Sequence, residues 1–225
     1  MSRFVSLLVL ALALAAPAYA HLSVSPIILS FDADAQMRKD MLLENTSERA
    51  QYLEIQAARI GEPGAVPETY ETSPIPDEVG LLVAPRRLVL QPGEQKRIRV
   101  ILLEVPEERD LAWRISVSPV VGEVDSRAPV ALTQVGYKAL VFARPSDPRV
   151  DLIAERNGRV LTVTNAGTTN GLLHSGEQCQ LPQSCTRVSG RRLWPGMTWQ
   201  TDLPEDDMPV AFTLSDPSGD QEIRF

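Results

Sequence analysis

Residues 129–145 read PVALTQVGYKALVFARP and have the composition of one long β-strand. The apolar positions carry β-branched, aromatic and aliphatic side chains, which favour strands. Val130 and Leu132 keep the two-residue spacing of a half-buried strand, and the phase then shifts before Val135, so we expect a β-bulge there. Pro145 ends the strand because proline has no N–H to donate to a sheet. A long strand that changes phase can serve two different pairing partners.

The composition of the whole chain favours a protein made of many short strands. The 225 residues are 44% hydrophobic and 23% charged, which is an ordinary globular balance with room for two modest domains. Eighteen prolines and 13 glycines suit short strands joined by tight turns better than a helical bundle. The formal net charge of −7 argues against a nucleic-acid partner.

The first twenty residues have the pattern of a signal peptide. Arg3 supplies a positive start, residues 5–16 are apolar, and Ala18-Tyr19-Ala20 forms a small-x-small cleavage site. A membrane anchor is the competing interpretation, but the apolar stretch is short for a span and no other stretch of about twenty apolar residues occurs. We expect export, cleavage before His21 and no membrane insertion of the mature chain.

Export determines how the two cysteines are interpreted. In an oxidising compartment, Cys179 and Cys185 are expected to form a disulfide. Closing a ring of about seven residues would stabilise the fold by about 2.4 kcal/mol in the loop-entropy estimate. A metal site that includes the nearby His174 is the alternative, but it lacks a fourth ligand. We therefore expect the disulfide, no metal site and no cofactor.

Turn signals divide the N-terminal part of the chain into short strands. Pro26 interrupts the first one, as happens at a sheet edge or where a strand passes from one sheet to another. Residues 37–44 and 52–58 contain helix formers, but the turn residues between them favour two strands. Residues 61–80, with four prolines and three glycines, are expected to form a loop with at most one short edge strand.

The next forty residues have the strand spacing of an immunoglobulin-like sandwich. Apolar side chains recur at alternate positions in Leu88–Leu90, Ile98–Leu102 and Trp113–Val117. The turn Gln91-Pro92-Gly93-Glu94 separates the first two runs. Three strands in so short a stretch predict a β-sandwich built from hairpin-connected strands.

After Pro145 the strand pattern restarts in a smaller region. Asn157-Gly158 lies between two apolar runs and is a strong hairpin signal. Further short strands are expected at 171–173, 192–194, 209–214 and 222–225, with a turn at Pro195-Gly196. The sequence therefore predicts an all-β protein of two immunoglobulin-like sandwiches, over residues 21–145 and 146–225.

Several of these motifs resemble the first domain of the periplasmic pilus (fimbrial) chaperones. The matching residues are Pro85, Leu88 to Gly93, Val105 to Asp110, and the strand ending Phe142-Ala143-Arg144-Pro145. In the second region, residues 163–179 (VTNAGTTNGLLHSGEQC) and Arg192-Leu193-Trp194-Pro195-Gly196 are similar to the alternate branch of that family. This branch serves colonisation-factor-type fimbriae.

The resemblance implies a boomerang of two domains that binds pilin subunits in the periplasm and delivers them to an outer-membrane usher. The last strand of the first domain, about residues 129–142, would fill the groove of an incomplete subunit through main-chain hydrogen bonds and alternate apolar side chains. Val130, Leu132 and Val135 are the donor side chains expected. The free protein is expected to be a monomer without enzymatic activity.

The resemblance also implies an anchor for the terminal carboxylate of the subunit. Family members carry an arginine on the first strand and a lysine near the end of the last one. The first-strand position falls within Ile27–Leu29, which contains no arginine, and the nearest match for the lysine is Lys138. Lys138 lies two residues early but on the same face of a strand, so it is the expected anchor; a solvated edge charge is the alternative.

An interdomain salt bridge is the last feature that the resemblance implies. In the family, an arginine before the closing proline pairs with two acids, and the matching residues here are Arg144, Asp110 and Asp216. A guanidinium has five donors in a planar fork and can bind two carboxylates at once. Three separate surface charges are the alternative.

Other interpretations stay open beside these. Tyr137 and Val141 are expected to face the core of their own domain rather than a bound pilin. His21 at a free N-terminus is a candidate copper ligand, although nothing supplies a third ligand. No Ser-His-Asp order and no G-x-S-x-G motif stands out in the sequence, so neither pattern indicates an enzyme. An exported adhesin or structural subunit is the remaining alternative, and it would be a single domain.

Overall fold

The computed structural model describes residues 22–33, 36–120, 135–181 and 184–225. Up to residue 143 the strands are β1 (Leu22–Ser25), β2 (Ile28–Phe31), β3 (Arg38–Asn45), β4 (Gln51–Ile60), β5 (Tyr70–Glu71), β6 (Leu81–Ala84), β7 (Arg87–Leu90), β8 (Gln95–Leu102), β9 (Leu111–Pro119) and β10 (Tyr137–Ala143). One turn of helix, α1 (Pro76–Val79), precedes β6. Within these ranges, no helix has the length and apolar character needed to cross a membrane.

These ten strands form two sheets that share one core. One sheet has the order β1-β3-β8-β6, and the other has the order β2-β10-β9-β4-β5 with β7 also paired to β4. Alternate side chains of each strand point between the sheets, as the two-residue period of a strand requires. The core includes Met41, Leu43, Ile98 and Val100 from the first sheet and Phe31, Ile55, Trp113, Ile115 and Val141 from the second.

The chain passes from one sheet to the other at Pro26. β1 pairs with β3 in antiparallel orientation, and β2 pairs with β10 in parallel. Proline cannot donate an N–H to a ladder, so it lies between the two pairings. Both situations expected for a strand interrupted by proline occur here, since β1 and β2 are edge strands and the chain changes sheet between them.

The second sandwich is smaller. Its strands are β11 (Leu152–Asn157), β12 (Val160–Asn165), β13 (Gly171–Leu173), β14 (Gly176–Leu181), β15 (Ser184–Val188), β16 (Arg192–Leu193), β17 (Thr198–Asp202), β18 (Ala211–Asp216) and β19 (Gly219–Arg224). One sheet has the order β11-β12-β17, and the other has the order β15-β14-β18-β13-β16 with β19 paired to β18. Leu161, Val163, Trp199, Phe212 and Leu214 fill the core between them.

The predicted hairpin and disulfide of this sandwich are confirmed. Gly158 has a φ of +58°, as the turn between β11 and β12 requires, and the two strands pair along their length. Cys179 and Cys185 face one another across β14 and β15, and their sulfurs are bonded. All-β architecture with two immunoglobulin-like sandwiches is likewise confirmed.

Other predictions of local structure have mixed outcomes. Residues 38–45 and 51–60 are strands, as their turn signals predicted. The 61–80 segment contains β5 and also α1, which the sequence did not predict. The strands β6, β14, β15 and β17 were missed. The predicted bulge, Val130 and Leu132 lie outside the described residues, as do the predicted signal peptide and His21. The domain limits stay a prediction.

A buried asparagine closes the end of β3 in the first sandwich. The side-chain nitrogen of Asn45 donates to Arg49 O (2.7 Å) and Leu90 O (3.0 Å), and its oxygen accepts from Ser47 N (3.0 Å). The backbone oxygen of Asn45 accepts from Gly93 N (2.9 Å) in the Pro-Gly turn. One side chain therefore joins the end of β3 to the strand and turn beside it.

Asn165 repeats this arrangement at the end of β12 in the second sandwich. Its side-chain nitrogen donates to Thr169 O (2.9 Å) and Leu193 O (3.0 Å), and its oxygen accepts from Gly167 N (3.0 Å). The backbone oxygen of Asn165 accepts from Gly196 N (2.7 Å), again in a Pro-Gly turn. The turn Gln91–Glu94 thus corresponds to the turn Trp194–Met197.

Replacing either asparagine with alanine is expected to lower the free energy of unfolding by about 3 kcal/mol, because buried backbone groups lose their partners. Denaturant titration of Asn45→Ala and Asn165→Ala measures the change. Gln95→Ala and Gln200→Ala, at exposed strand positions, are the controls and should cost less than about 0.5 kcal/mol. Asparagine variants as stable as these controls would contradict the assignment.

Candidate functional site

Half of β10 has an uncovered edge. On one side β10 pairs with β9 from Tyr137 to Ala143. On the other side, β2 pairs only with Leu140–Ala143. Among the described residues, no strand pairs with that side of Tyr137–Ala139, which we call the edge segment. The gap exists because β1, the preceding part of the first strand, belongs to the other sheet.

The backbone of Lys138 faces this uncovered edge. Leu140 N donates to Ile27 O (2.9 Å), and Arg144 N donates to Phe31 O (2.8 Å), so the even-numbered residues point their N–H toward the β2 side. Successive residues of a strand alternate in direction, and Lys138 follows the same rule. Its N–H and C=O are placed to pair with an added strand.

Exposed apolar side chains surround the edge segment. Val135, the predicted donor that the structure describes, is 52% exposed, and Ile27 and Ile28 are 42% and 46% exposed. Large apolar side chains grouped beside an unpaired edge favour binding of another chain. Tyr137 and Val141 face the core of their own domain as predicted: Val141 is fully buried, and the Tyr137 hydroxyl donates to Leu22 O (2.6 Å).

Lys138, the predicted anchor, is exposed on the outer face of the sheet. Its Nζ lies 5.2 Å from the centre of the Tyr70 ring. The Tyr70 hydroxyl donates to Glu68 (2.8 Å), and Arg114 makes two bonds to the same carboxylate (2.8 and 3.0 Å). The hydrogen bond from Arg114 lowers the pKa of Glu68, which keeps that carboxyl ionised. The cluster leaves a net positive charge beside the edge segment.

A second cationic site lies beside the same edge and was not predicted. A groove of about 560 Å³ is lined by Pro26, residues 28–30, Gln36, residues 38–40 and Arg99. Arg99 pairs with Asp40 (2.9 Å), and the hydrogen bond from Arg99 lowers the pKa of Asp40. Arg38 and Arg97 also act on that carboxyl, so three arginines surround one acid. Alternating arginines in β8, at 97 and 99, are the sequence signal for this site.

The second sandwich meets the far end of β10 through an apolar contact. The rings of Phe142 and Trp194 pack edge to face, with their centres 5.8 Å apart. Both side chains are buried in a cluster with Ile60, Ala112 and Leu140. The guanidinium groups of Arg144 and Arg192 lie 5.1 and 5.4 Å from the Phe142 ring. One strand therefore carries both the edge segment and the contact with the second sandwich.

The predicted salt bridge among Arg144, Asp110 and Asp216 is wrong. Arg144 pairs with Asp32 (2.7 Å), which follows β2. The carboxylate of Asp216 lies in the β18–β19 turn, where it accepts from Ser218 N (2.7 Å). Burial raises the pKa of Asp110, and the nearby charge of Arg144 opposes that shift without forming an ion pair.

Asp110 instead joins the two sandwiches through Asn170. One carboxylate oxygen accepts from the backbone N (2.7 Å) and the side-chain nitrogen (2.5 Å) of Asn170, and Asp110 N donates to Thr168 O (3.2 Å). Arg192 donates to the side-chain oxygen of Asn170. Burial raises the pKa of Asp110, against the opposing effect of these donors and of Arg144.

The remaining candidate groups do not assemble a reaction centre. Both cysteine sulfurs are used by the disulfide and are not free to bind a metal with His174. The ring of His174 contacts the Ser215 hydroxyl (2.7 Å), which donates to Asp220 (2.5 Å). In a catalytic triad the histidine lies between serine and acid, and here the serine occupies the middle position.

Comparison with known proteins agrees with this architecture. No protein-family model matches the sequence. The chain is similar to a CFA/I fimbrial subunit of Escherichia coli, with 24% identity over 168 residues and 69% of each chain covered. It is also similar to the solved class 5 fimbriae chaperone CfaA, with 19% identity, 90% of this chain and 98% of that chain covered, and a TM-score of 0.66.

The chain has the fold of the fimbrial chaperones. A chain from the Salmonella enterica SafA pilin–SafB chaperone complex gives the same TM-score of 0.66, with 12% identity and with 93% of this chain and 98% of that chain covered. The resemblance inferred from the sequence motifs is thereby confirmed at the level of fold. In this fimbrial-chaperone fold, one strand, β10, carries both the edge segment and Phe142, which packs against the second sandwich.

The raised pKa of Asp110 predicts a specific pH dependence of stability. Between the ordinary aspartate value and the raised value, the folded protein binds more protons than the unfolded chain, so its stability falls as pH rises through that window. Asp110→Asn removes the buried charge and should remove this part of the pH dependence. Urea titrations of both proteins from acidic to neutral pH measure it, and parallel curves would contradict the prediction.

Proposed function

We propose that this protein is a periplasmic chaperone that binds fimbrial subunits by adding β10, together with residues 129–136, to an incomplete subunit. The observation that carries the proposal is the uncovered edge segment, with the backbone of Lys138 pointing outward. An unpaired edge is a template for another strand, and most proteins protect such edges. The fold shared with the class 5 chaperone CfaA supports the same function.

The physical basis of the binding is strand addition. Main-chain hydrogen bonds along the edge would give affinity, and alternate apolar side chains would fill pockets of the subunit. Val130, Leu132 and Val135 are the proposed donor side chains. Each aliphatic side chain buried there contributes about 1.5 to 3 kcal/mol before the cost of ordering is subtracted.

Two cationic sites lie near the point where the terminal carboxylate of a bound subunit would be placed. An added strand that runs parallel to β10, as β2 does, would end against Pro26 and Ile28. Lys138 lies on one side of that point, and the groove with Arg99 begins at the same residues. Lys138 is the proposed anchor, and the Arg99 groove is the competing one.

The cellular setting follows from the same proposal. The predicted signal peptide and the disulfide are consistent with an oxidising periplasm. An outer-membrane usher is the proposed recipient of the bound pilin, and the protein acts as a monomeric carrier rather than as an enzyme.

A structural subunit or adhesin is the second candidate, favoured by the name of the curated relative from Escherichia coli. The arrangement of the chain argues against it. The described strands form two sandwiches, whereas a structural subunit or adhesin is expected to be a single domain.

Strand addition predicts that Lys138→Pro prevents recovery of a complex with the subunit. Proline removes the N–H that faces the uncovered edge, while the ladder to β9 uses the neighbouring residues. Lys138→Ala is the matched comparison: it removes the same side chain, and with it the proposed anchor, but keeps the N–H, so the further loss in Lys138→Pro measures the main-chain hydrogen bond. Co-purification of a co-expressed fimbrial subunit measures the outcome, and circular dichroism reports that the variant is folded.

Leu132→Asp is expected to abolish the same complex by placing a charge in an apolar pocket. Wild-type yields of co-purified pilin with both Lys138→Pro and Leu132→Asp would show that the edge is not the binding site.

The carboxylate anchor is tested with a peptide of the pilin's last strand, prepared with a free acid or an amidated C-terminus. The free acid is expected to bind at least about tenfold more tightly, because charge-assisted hydrogen bonds exceed neutral ones. Calorimetry should show that this difference disappears in Lys138→Ala and persists in Arg99→Ala. Arg224→Ala, in the other sandwich, is the control for loss of charge alone. Loss of the difference only in Arg99→Ala would assign the anchor to the groove.

A further inference from the structure

We propose that Trp194–Met197, here called the latch turn, holds the second sandwich against β10 and so positions the edge segment for subunit binding. The proposal rests on the function proposed above. Trp194 and Met197 act on the edge through Phe142 and are therefore positioning residues. Neither belongs to the predicted interdomain salt bridge.

The two sandwiches provide an internal comparison for this turn. Gln91–Glu94 and Trp194–Met197 are equivalent Pro-Gly turns, each closed by a bond from the fourth residue's N to the first residue's O (3.0 Å in both). In the first sandwich the first residue of the turn is Gln91, which is exposed, and the fourth is Glu94. In the second sandwich these two positions carry Trp194 and Met197. The same backbone turn is therefore a solvated loop in the first sandwich and an apolar contact in the second.

The contact that Trp194 makes is with the first sandwich. Trp194 is 5% exposed, and its neighbours in the buried cluster are Ile60, Ala112, Leu140 and Phe142. All four neighbours lie on β4, β9 or β10. An aromatic pair packed edge to face adds a preferred geometry to its apolar burial. The cluster therefore fixes an orientation between the sandwiches as well as an area of contact.

A strap from the first sandwich, residues 61–66, closes over the latch turn. Arg191 donates to Gly64 O (2.9 Å). Gly64 has a φ of +87°, and a Cβ added there would lie 2.7 Å from Met197 Sδ and 2.8 Å from Trp194 Cδ1. The strap can approach this closely only because position 64 has no side chain.

The latch works against a local electrostatic cost. Arg144 and Arg192 lie over the same Phe142 ring. Burial lowers the pKa of Arg192, and the nearby charge of Arg144 adds to that effect. A cavity of about 660 Å³, lined by the strap and the latch turn, also opens beside the contact. The buried apolar cluster around Trp194 opposes this electrostatic repulsion.

Phe142 transmits the position of the second sandwich to the edge. Phe142 and Lys138 are four residues apart on one strand, which is roughly 13 Å at the usual rise per residue. Both lie in the part of β10 that pairs continuously with β9. An added strand parallel to β10 would end at Pro26 and Ile28, and the Phe142–Trp194 contact lies farther along the same strand. Holding that end of β10 in one orientation lowers the ordering cost of binding.

The test compares Trp194→Ala with Trp194→Phe and with Gln91→Ala in the equivalent turn. Spin labels on Gln95→Cys and Gln200→Cys, in protein with its native disulfide, report the distance between the sandwiches. We expect a narrow distribution for the wild type, Trp194→Phe and Gln91→Ala, and a broad one for Trp194→Ala. Among these three variants, Trp194→Ala alone should shorten the half-life of the complex with the subunit, by about tenfold, since affinity differences between related complexes lie mainly in the dissociation rate.

A glycine pair tests the strap without removing an aromatic side chain. Gly64→Ala and Gly93→Ala both place alanine at positive φ, but an added Cβ meets nothing within 4 Å at Gly93. Both variants place alanine in the left-handed region, at φ of +87° and +70°, and only Gly64→Ala should broaden the distance distribution and shorten the half-life. This pair decides the question if Trp194→Ala fails to fold.

The outcomes separate the latch from the proposed function. A wild-type protein that binds no subunit overturns the proposed function. The role of the latch turn in positioning the edge segment is then overturned too, whatever distance is measured between the spin labels. A wild-type protein that binds subunits, together with Trp194→Ala and Gly64→Ala variants that keep both the narrow distribution and the wild-type half-life, overturns the latch alone.

Discussion

The break at Pro26 is the constraint on which the rest of the molecule depends. A proline cannot continue a ladder, so the first strand leaves β3 at Ser25 and joins β10 only from Ile28. That late arrival leaves the edge segment uncovered and places exposed isoleucines beside it. The same crossing brings Asp32 to the end of β10, where it pairs with Arg144. One backbone feature thus sets both the binding edge and the ion pair near the junction.

The two sandwiches are variations of one module with different ends. Asn45 and Asn165 each tie a strand end to a Pro-Gly turn by equivalent bonds, which fixes the turn and leaves its outer residues free to vary. Glutamine and glutamate keep the first turn in solvent, and tryptophan and methionine bring the second turn into contact with the other sandwich. The asparagine and the Pro-Gly turn form the same rigid structure in both sandwiches. The first and fourth side chains of the turn determine whether it contacts solvent or the other sandwich.

Local features were predictable from the sequence because their signals are local. The change of sheet at Pro26, the Asn157-Gly158 hairpin and the disulfide depend on residues close together in the chain. The partner of Arg144 was not predictable, since Asp32 is 112 residues away and reaches it only through the sheet crossing. The Arg99 groove was missed for a different reason. Its arginines alternate along exposed strand faces, and an ordinary solvated surface has the same pattern.

The polar groups of the junction define its geometry more than they stabilise it. One oxygen of Asp110 and Nε of Arg144 are buried without a hydrogen-bond partner among the described residues, and burial raises the pKa of Asp110. Charges buried with incomplete pairing cost several kcal/mol each in desolvation, which their mutual attraction seldom recovers. The apolar cluster around Trp194 must therefore supply the net attraction between the sandwiches. Asp110 and Asn170 then select one orientation, because only that orientation satisfies their hydrogen bonds.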